Sequence, residues 1–274
     1  MRPIMILVAA VAVLMLSVVA ASAAAVTLYA SDAIGRDLYS ISTLDGSVTL
    51  LGNLGVPSGF CALEYSQRGG VILGLTRLTG AALYSIDPNS VNATYIGSLG
   101  IGYVYEGALA FDPENGALYG ANAGSDEHPQ IFVVDPNTGA GTIVGEVGGA
   151  PHDFDGLVFD DSGQMYGLDG VTQALWKIDK NDPGGPGTQQ VGSGLGSGID
   201  MGAVGGITVG PDGAIYGYAA DSHELFTVDL ASGQATVLHS FGPDVPVFYG
   251  ICGGGAVSPV EATSWSRIKS MYKR

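Results

Sequence analysis

The chain has 274 residues, 44 of them glycine, with only 13% charged residues and a net charge of -16. Between residues 25 and 258 five basic side chains (Arg36, Arg68, Arg77, Lys177, Lys180) stand against 25 acidic ones, a net of -20. A surface of that sign excludes nucleic acid and anionic lipid as partners and suits cations, basic partners or neutral ligands such as glycans, unless the charge serves solubility alone.

In chain order, Arg2 precedes an apolar run from Ile4 to Ala20 and the small residues Ala21-Ser22-Ala23-Ala24-Ala25. This is the plan of a cleaved export signal over residues 1–25. An uncleaved membrane anchor is the rival reading, because the run is near the length that spans a bilayer. No cysteine follows the run, which argues against a lipoprotein. The expectation is an exported protein, periplasmic, on the cell surface or extracellular, with no transmembrane span after cleavage. About 250 residues remain, enough for one large all-β domain.

Val26-Thr27-Leu28-Tyr29-Ala30 then resembles the second strand of a four-strand unit that lacks its first. Beyond it one cluster recurs: Leu38-Tyr39-Ser40-Ile41, Leu83-Tyr84-Ser85-Ile86, Ile131-Phe132-Val133-Val134, Leu175-Trp176-Lys177-Ile178 and Leu225-Phe226-Thr227-Val228, at spacings of 45, 48, 44 and 50 residues. Four-stranded propeller blades repeat at roughly 40–50 residues, whereas ankyrin and leucine-rich units are shorter. A second cluster precedes each anchor after the first, as in Ala117-Leu118-Tyr119-Gly120, and a third stands before that, as in Ala108-Leu109-Ala110-Phe111. A fourth follows each anchor, as in Ala235-Thr236-Val237-Leu238. Four short strands per repeat, A to D outward from an axis, make one blade. Asn115-Gly116, Ser162-Gly163 and Asp212-Gly213 mark A–B turns, and Asp45-Gly46, Thr138-Gly139 and Ser232-Gly233 mark C–D turns, since such pairs accept positive φ. In the fourth blade residues 182–187 form a longer surface insertion.

At the far end Tyr249-Gly250-Ile251-Cys252 matches an A strand with no B strand after it, so it completes the unit opened at residue 26. The expected fold over residues 26–258 is an all-β five-bladed β-propeller closed by pairing of its N- and C-terminal strands, which removes exposed sheet edges. Leu83-Tyr84-Ser85-Ile86-Asp87-Pro88 and Gly107-Ala108-Leu109-Ala110-Phe111-Asp112-Pro113 resemble the Gly- and Tyr-rich repeats of secreted bacterial propellers, within the WD40-like, kelch-like and NHL-like class. The resemblance covers the whole mature domain. It implies a fold and carries no active site.

The links that feed the A strands hold the unusual residues and should converge at the mouth of the central channel. The candidate ligand-binding residues are Tyr103, Tyr105, Glu106, His152, Asp153, Asp155, Asp200 and Tyr249, with Phe248 among the aromatic group. Glu106, Asp155 and Asp200 could ligate calcium, although a solvated acidic rim explains them as well. The tyrosines could stack on a sugar ring, or pack between blades. His152 is the natural general base of the group, and a lone loop histidine is also ordinary surface. Cys61 and Cys252 fall in adjacent A strands, so a disulfide locking the ring is conceivable, with a register offset against it.

There is no G-x-S-x-G elbow, H-E-x-x-H, phosphate loop or Cys-x-x-Cys, so no catalytic residue is assigned. The expectation is a monomeric, non-enzymatic binding module for a glycan, peptide, surface protein or cation, needing no cofactor beyond calcium. The alternatives are a hydrolase or lactonase around an axial metal, as in some other propeller families, and a structural envelope component. Residues 259–274 are basic, with Trp265, Ile268 and Tyr272 on one face of a short helix. They resemble the sorting or anchoring tails of some exported bacterial proteins, with a frayed, disordered end and docking onto the acidic propeller as the other readings.

Overall fold

Strand by strand, burial falls from the inside of each repeat outward. Innermost strands such as Phe154–Phe159 are buried along their whole length, whereas outer ones such as Gly141–Glu146 are half exposed. The inner strands are therefore apolar on both faces and read as unbroken blocks, while the outer ones carry Thr, Gln and Asn. This computed structural model describes residues 26–32, 36–123, 129–149, 153–202 and 205–254. The proposed export signal, the basic tail, His128 and His152 lie outside the described residues.

The chain opens with β1 (Thr27–Asp32), β2 (Asp37–Ser42) and β3 (Val48–Asn53). The second blade is β4 (Phe60–Ser66), β5 (Val71–Thr76), β7 (Ala82–Asp87) and β8 (Asn92–Ser98), with β6 (Leu78–Thr79) inside its B–C link. After β9 (Tyr103–Val104) comes the third blade: β10 (Glu106–Phe111), β11 (Leu118–Ala123), β12 (Gln130–Val134) and β13 (Gly141–Glu146). The fourth is β14 (Phe154–Phe159), β15 (Met165–Asp169), β16 (Ala174–Ile178) and β17 (Gln189–Val191). The fifth is β18 (Gly205–Val209), β19 (Ile215–Ala219), β20 (Glu224–Val228) and β21 (Ala235–Ser240). Last comes β22 (Phe248–Gly253), which pairs with β1 to give the order β22-β1-β2-β3 in the first blade. Leu28 faces Gly253, Tyr29 faces Cys252 and Ala30 faces Ile251.

Successive A strands touch all the way round, β4 with β10, β10 with β14, β14 with β18, β18 with β22 and β22 with β4. The protein is thus a closed five-bladed β-propeller. Five apolar layers, one between each pair of neighbouring blades, form its core. The turn signals are borne out as well, with Gly116 at φ +72° and Gly139 at φ +76°. The insertion at residues 182–187 packs back on the third blade, where Gly148 N–H donates to Pro183 O at 2.9 Å.

The cysteines are separate buried thiols. Cys61 lies in the layer between the second and third blades and Cys252 in the layer between the first and second. Both side chains point forward round the ring, so the adjacent strands hold them in different layers, and the disulfide considered from sequence is not made.

Among the described residues no helix is long and apolar enough to cross a membrane.

Candidate functional site

Ala62, Gly107, Gly156, Gly206 and Gly250 line the axis where the five A strands come closest. The approach needs small residues: a Cβ on Gly156 would lie 2.6 Å from the backbone nitrogen of Ile207. The axis is shut at this level, with a cavity of about 10 Å³, room for one water at most. Along the axis, only the space beyond this neck has room for more than a water.

At the mouth stand the residues just before the neck: Cys61, Glu106, Asp155, Gly205 and Tyr249. Register shifts leave Cys61, Asp155 and Tyr249 as the unpaired residue of a β-bulge in their A strands. A bulge breaks the alternation of the strand and re-aims one side chain. Here it turns the Asp155 carboxylate toward Glu106 of the preceding blade and Asp153 of its own entry link, and ligand atoms of all three lie within 4.8 Å of one another.

Asp155 is 4% exposed and Glu106 5%, and Asp153 is half-buried. Neither oxygen of Asp155 has a hydrogen-bond partner, nor does Oδ1 of Asp153. At an effective dielectric of 20, two carboxylates about 5 Å apart repel by roughly 3 kcal/mol, so the group does not hold three negative charges uncompensated. Burial, then the charges of Asp153, Glu106 and Asp169, holds the Asp155 carboxyl well above the usual carboxylate range. Burial, with the adjoining Glu106, pushes Asp153 up to about 8. Glu106 is raised by burial and partly relieved by its hydrogen bond with Asp153 and by the charge of Arg77.

Arg77, in the B–C link of the second blade, is the cation of the mouth. Its guanidinium carbon sits 5.0 Å from the ring centroids of both Tyr105 and Tyr249, and its side chain is hydrogen-bonded to Tyr249. Tyr103 and Tyr105 stack with centroids 6.1 Å apart and are 49% and 38% exposed. The short β6–β9 pair fixes this shelf, since Leu78 pairs with Val104 and Thr79 with Tyr103.

Of the residues named from sequence, Glu106, Asp153 and Asp155 come together, and Tyr103, Tyr105 and Tyr249 edge the same mouth. Asp200 is not part of the acidic group. It is exposed in the link before β18 and accepts from Gly202 N–H at 3.2 Å and Gln173 Nε2 at 3.5 Å. Of Glu106, Asp155 and Asp200, the three named together from sequence, the structure brings only the first two together, with Asp153 as their third neighbour. Phe248 is also removed from the mouth: it is fully buried between blades against Tyr218 and Tyr39, at 5.2 and 5.4 Å. Asp169, close behind the group, is a turn cap that accepts from Val171 N–H at 3.0 Å and from the Thr172 hydroxyl.

Sequence reasoning missed Arg77, although the B–C links open on the same face as the D–A links. It also missed a cavity of about 310 Å³ on the opposite face, between the second and third blades, lined by Arg68, Phe111, Pro113, Pro136 and Asn137.

Fold and mouth together define the class, a closed propeller with an acidic axial mouth. No family model matches the sequence, and no curated protein matches it. Solved propellers do match in structure. A protein of unknown function from Bacteroides thetaiotaomicron VPI-5482 aligns at TM-score 0.53 and 18% identity, over 82% of this chain and 61% of that one. The chain thus spans about three fifths of that protein's length. A chain of a nidogen/laminin complex aligns at TM-score 0.50 and 18% identity, over 82% of both chains. A streptogramin B lyase aligns at TM-score 0.46 and 12% identity, over 77% of this chain and 64% of that one. At these identities the likeness is one of fold.

Proposed function

We propose that this is an exported, non-enzymatic binding propeller that holds its ligand, a glycan, peptide or cation, at the mouth where the B–C and D–A links meet. One observation carries the reading: an exposed shelf of stacked tyrosines lies at the same mouth as buried carboxylates with unused acceptors. Binding sites commonly pair aromatic surface with a few convergent polar groups on a rigid frame. The propeller supplies that frame, because each blade is packed on both sides. The apolar start of the chain supports export.

Thermal melting of the purified protein against oligosaccharides and basic peptides tests this reading. A ligand that raises the melting temperature of the wild type, and not of Tyr105→Ala, is the expected result. A panel without effect, or an equal effect on Tyr105→Ala, contradicts it.

A hydrolase or lactonase is the second reading, favoured by Asp153, whose carboxyl burial and the adjoining Glu106 raise to about 8, into the range of general acid–base groups. It demands turnover of an ester or lactone that Asp153→Asn abolishes while the fold persists.

A further inference from the structure

We propose that the mouth is a calcium site whose protein ligands are Glu106, Asp153 and Asp155, an inference that rests on reading this face as the binding face and names the ion it holds.

Three features of the group carry it. The first is distance. Calcium–oxygen bonds run at about 2.3–2.6 Å, so two oxygens on one ion lie at most about 5 Å apart. The three carboxylates, within 4.8 Å of one another, meet that limit without rearrangement.

The second is the state of Asp155. A buried carboxylate normally has its acceptors filled, and both oxygens of this one are unfilled at 4% exposure. Its position is also built. The bulge in β14 turns it out of the ladder, and residue 170 is a glycine on which Oδ2 rests, a Cβ there being in collision with it. Nearby carboxylates that do structural work have their acceptors filled, as Asp169 does by the 171 amide and the Thr172 hydroxyl.

The third is donor chemistry. Among the described residues the group holds carboxylate oxygen and neither histidine nor cysteine, a hard set that selects calcium over zinc. Arg77 offsets one of the three negative charges and a dication offsets the other two. Three carboxylates leave several of the six to eight positions of calcium for water, backbone oxygen or the hydroxyls of a bound ligand.

The test is calcium titration of the chelator-stripped protein by calorimetry, paired with thermal melting at pH 7.5. One calcium per chain is expected, with a rise in melting temperature of about 5–10 °C at a hundredfold excess over Kd. Asp155→Asn and Asp153→Asn should each lose at least tenfold in affinity, and Asp200→Asn should retain it. Asp155→Asn keeps size and shape, and the half-buried Asp153 provides a second variant should the first fail to fold. No heat and no shift in the wild type overturns the proposal, as does a wild-type response in Asp155→Asn or an equal response to magnesium. Repeating the oligosaccharide and peptide panel in chelator separates the two readings. Ligand binding in chelator, with no calcium heat in the wild type, overturns the ion site and leaves the binding face standing. Calcium binding with no oligosaccharide or peptide bound supports the ion site and counts against a glycan or peptide as the ligand of this face.

Discussion

Gly170 lies directly under the carboxylate of Asp155, so that a methyl group at residue 170 would take the space of Oδ2. Gly170→Ala is therefore expected to push Asp155 off its place at the mouth. Overpacking of this kind costs about 1–3 kcal/mol. Urea unfolding should show that loss, and calcium affinity should fall with it. A variant of unchanged stability and affinity contradicts the contact.

The acidic group makes stability depend on pH with a definite sign. Asp153 and Asp155 have folded-state pKa values above their unfolded ones. Their contribution is complete below the unfolded value near 4 and is lost as pH rises through their raised folded values, about 8 for Asp153. In chelator the protein should lose stability as pH rises from about 4 through about 8. Asp155→Asn should flatten that slope, and calcium should oppose it. Urea midpoints measured across the range check both.

Arg77 braces the rim between Tyr105 and Tyr249. Cation–π contacts of partly buried arginine are worth about 0.5–2 kcal/mol each, so Arg77→Ala should destabilise the domain modestly. It should also raise the pKa of Glu106, which Arg77 now holds down, and Arg77→Lys should restore charge without the planar stack. Carboxyl titration by NMR distinguishes the two variants.

The cysteines should behave as inert core residues. Burial pushes the Cys61 thiol up to about 12 and Cys252 well above the ordinary range, so neither forms a reactive thiolate near neutral pH. Alkylation of the native protein at pH 8 should be negligible, and two thiols per chain should react after unfolding. A mass that shows an intact disulfide contradicts the layer assignment.

Closure places Ala30 between Ile251 and Tyr39 in the interior of a sheet. Proline at that position removes a ladder donor and is confined to sheet edges in native proteins. Ala30→Pro should cost at least 1–3 kcal/mol from the lost bond alone, against about 0.5 kcal/mol or less for Leu44→Ser on an exposed turn.

The blades were legible because their inner strands are buried on both faces and so form apolar blocks at a regular spacing. The ring closure was legible because the half-blade at residue 26 and the half-blade at residue 249 complete each other. The acidic group was only partly legible, since Asp153 and Asp200 both precede an A strand and look equivalent in sequence. A bulge at Asp155 and the differing lengths of the entry links decide between them, and neither leaves a periodic trace. The β6–β9 pair, two residues on each side, is too short to show a period, and with it the placement of Arg77 was hidden. Part of the acid excess has a use that composition does not reveal. Asp87, Asp135 and Asp229 accept the amide two residues on, at 2.9, 2.9 and 2.7 Å, and so build the C–D turns.

Diffraction from crystals grown with calcium, collected where calcium scatters anomalously, tests the central claim most directly. The expected peak lies about 2.3–2.6 Å from carboxylate oxygens of Glu106, Asp153 and Asp155. A map with no peak there, or with the ion on Asp200 or elsewhere, contradicts the account.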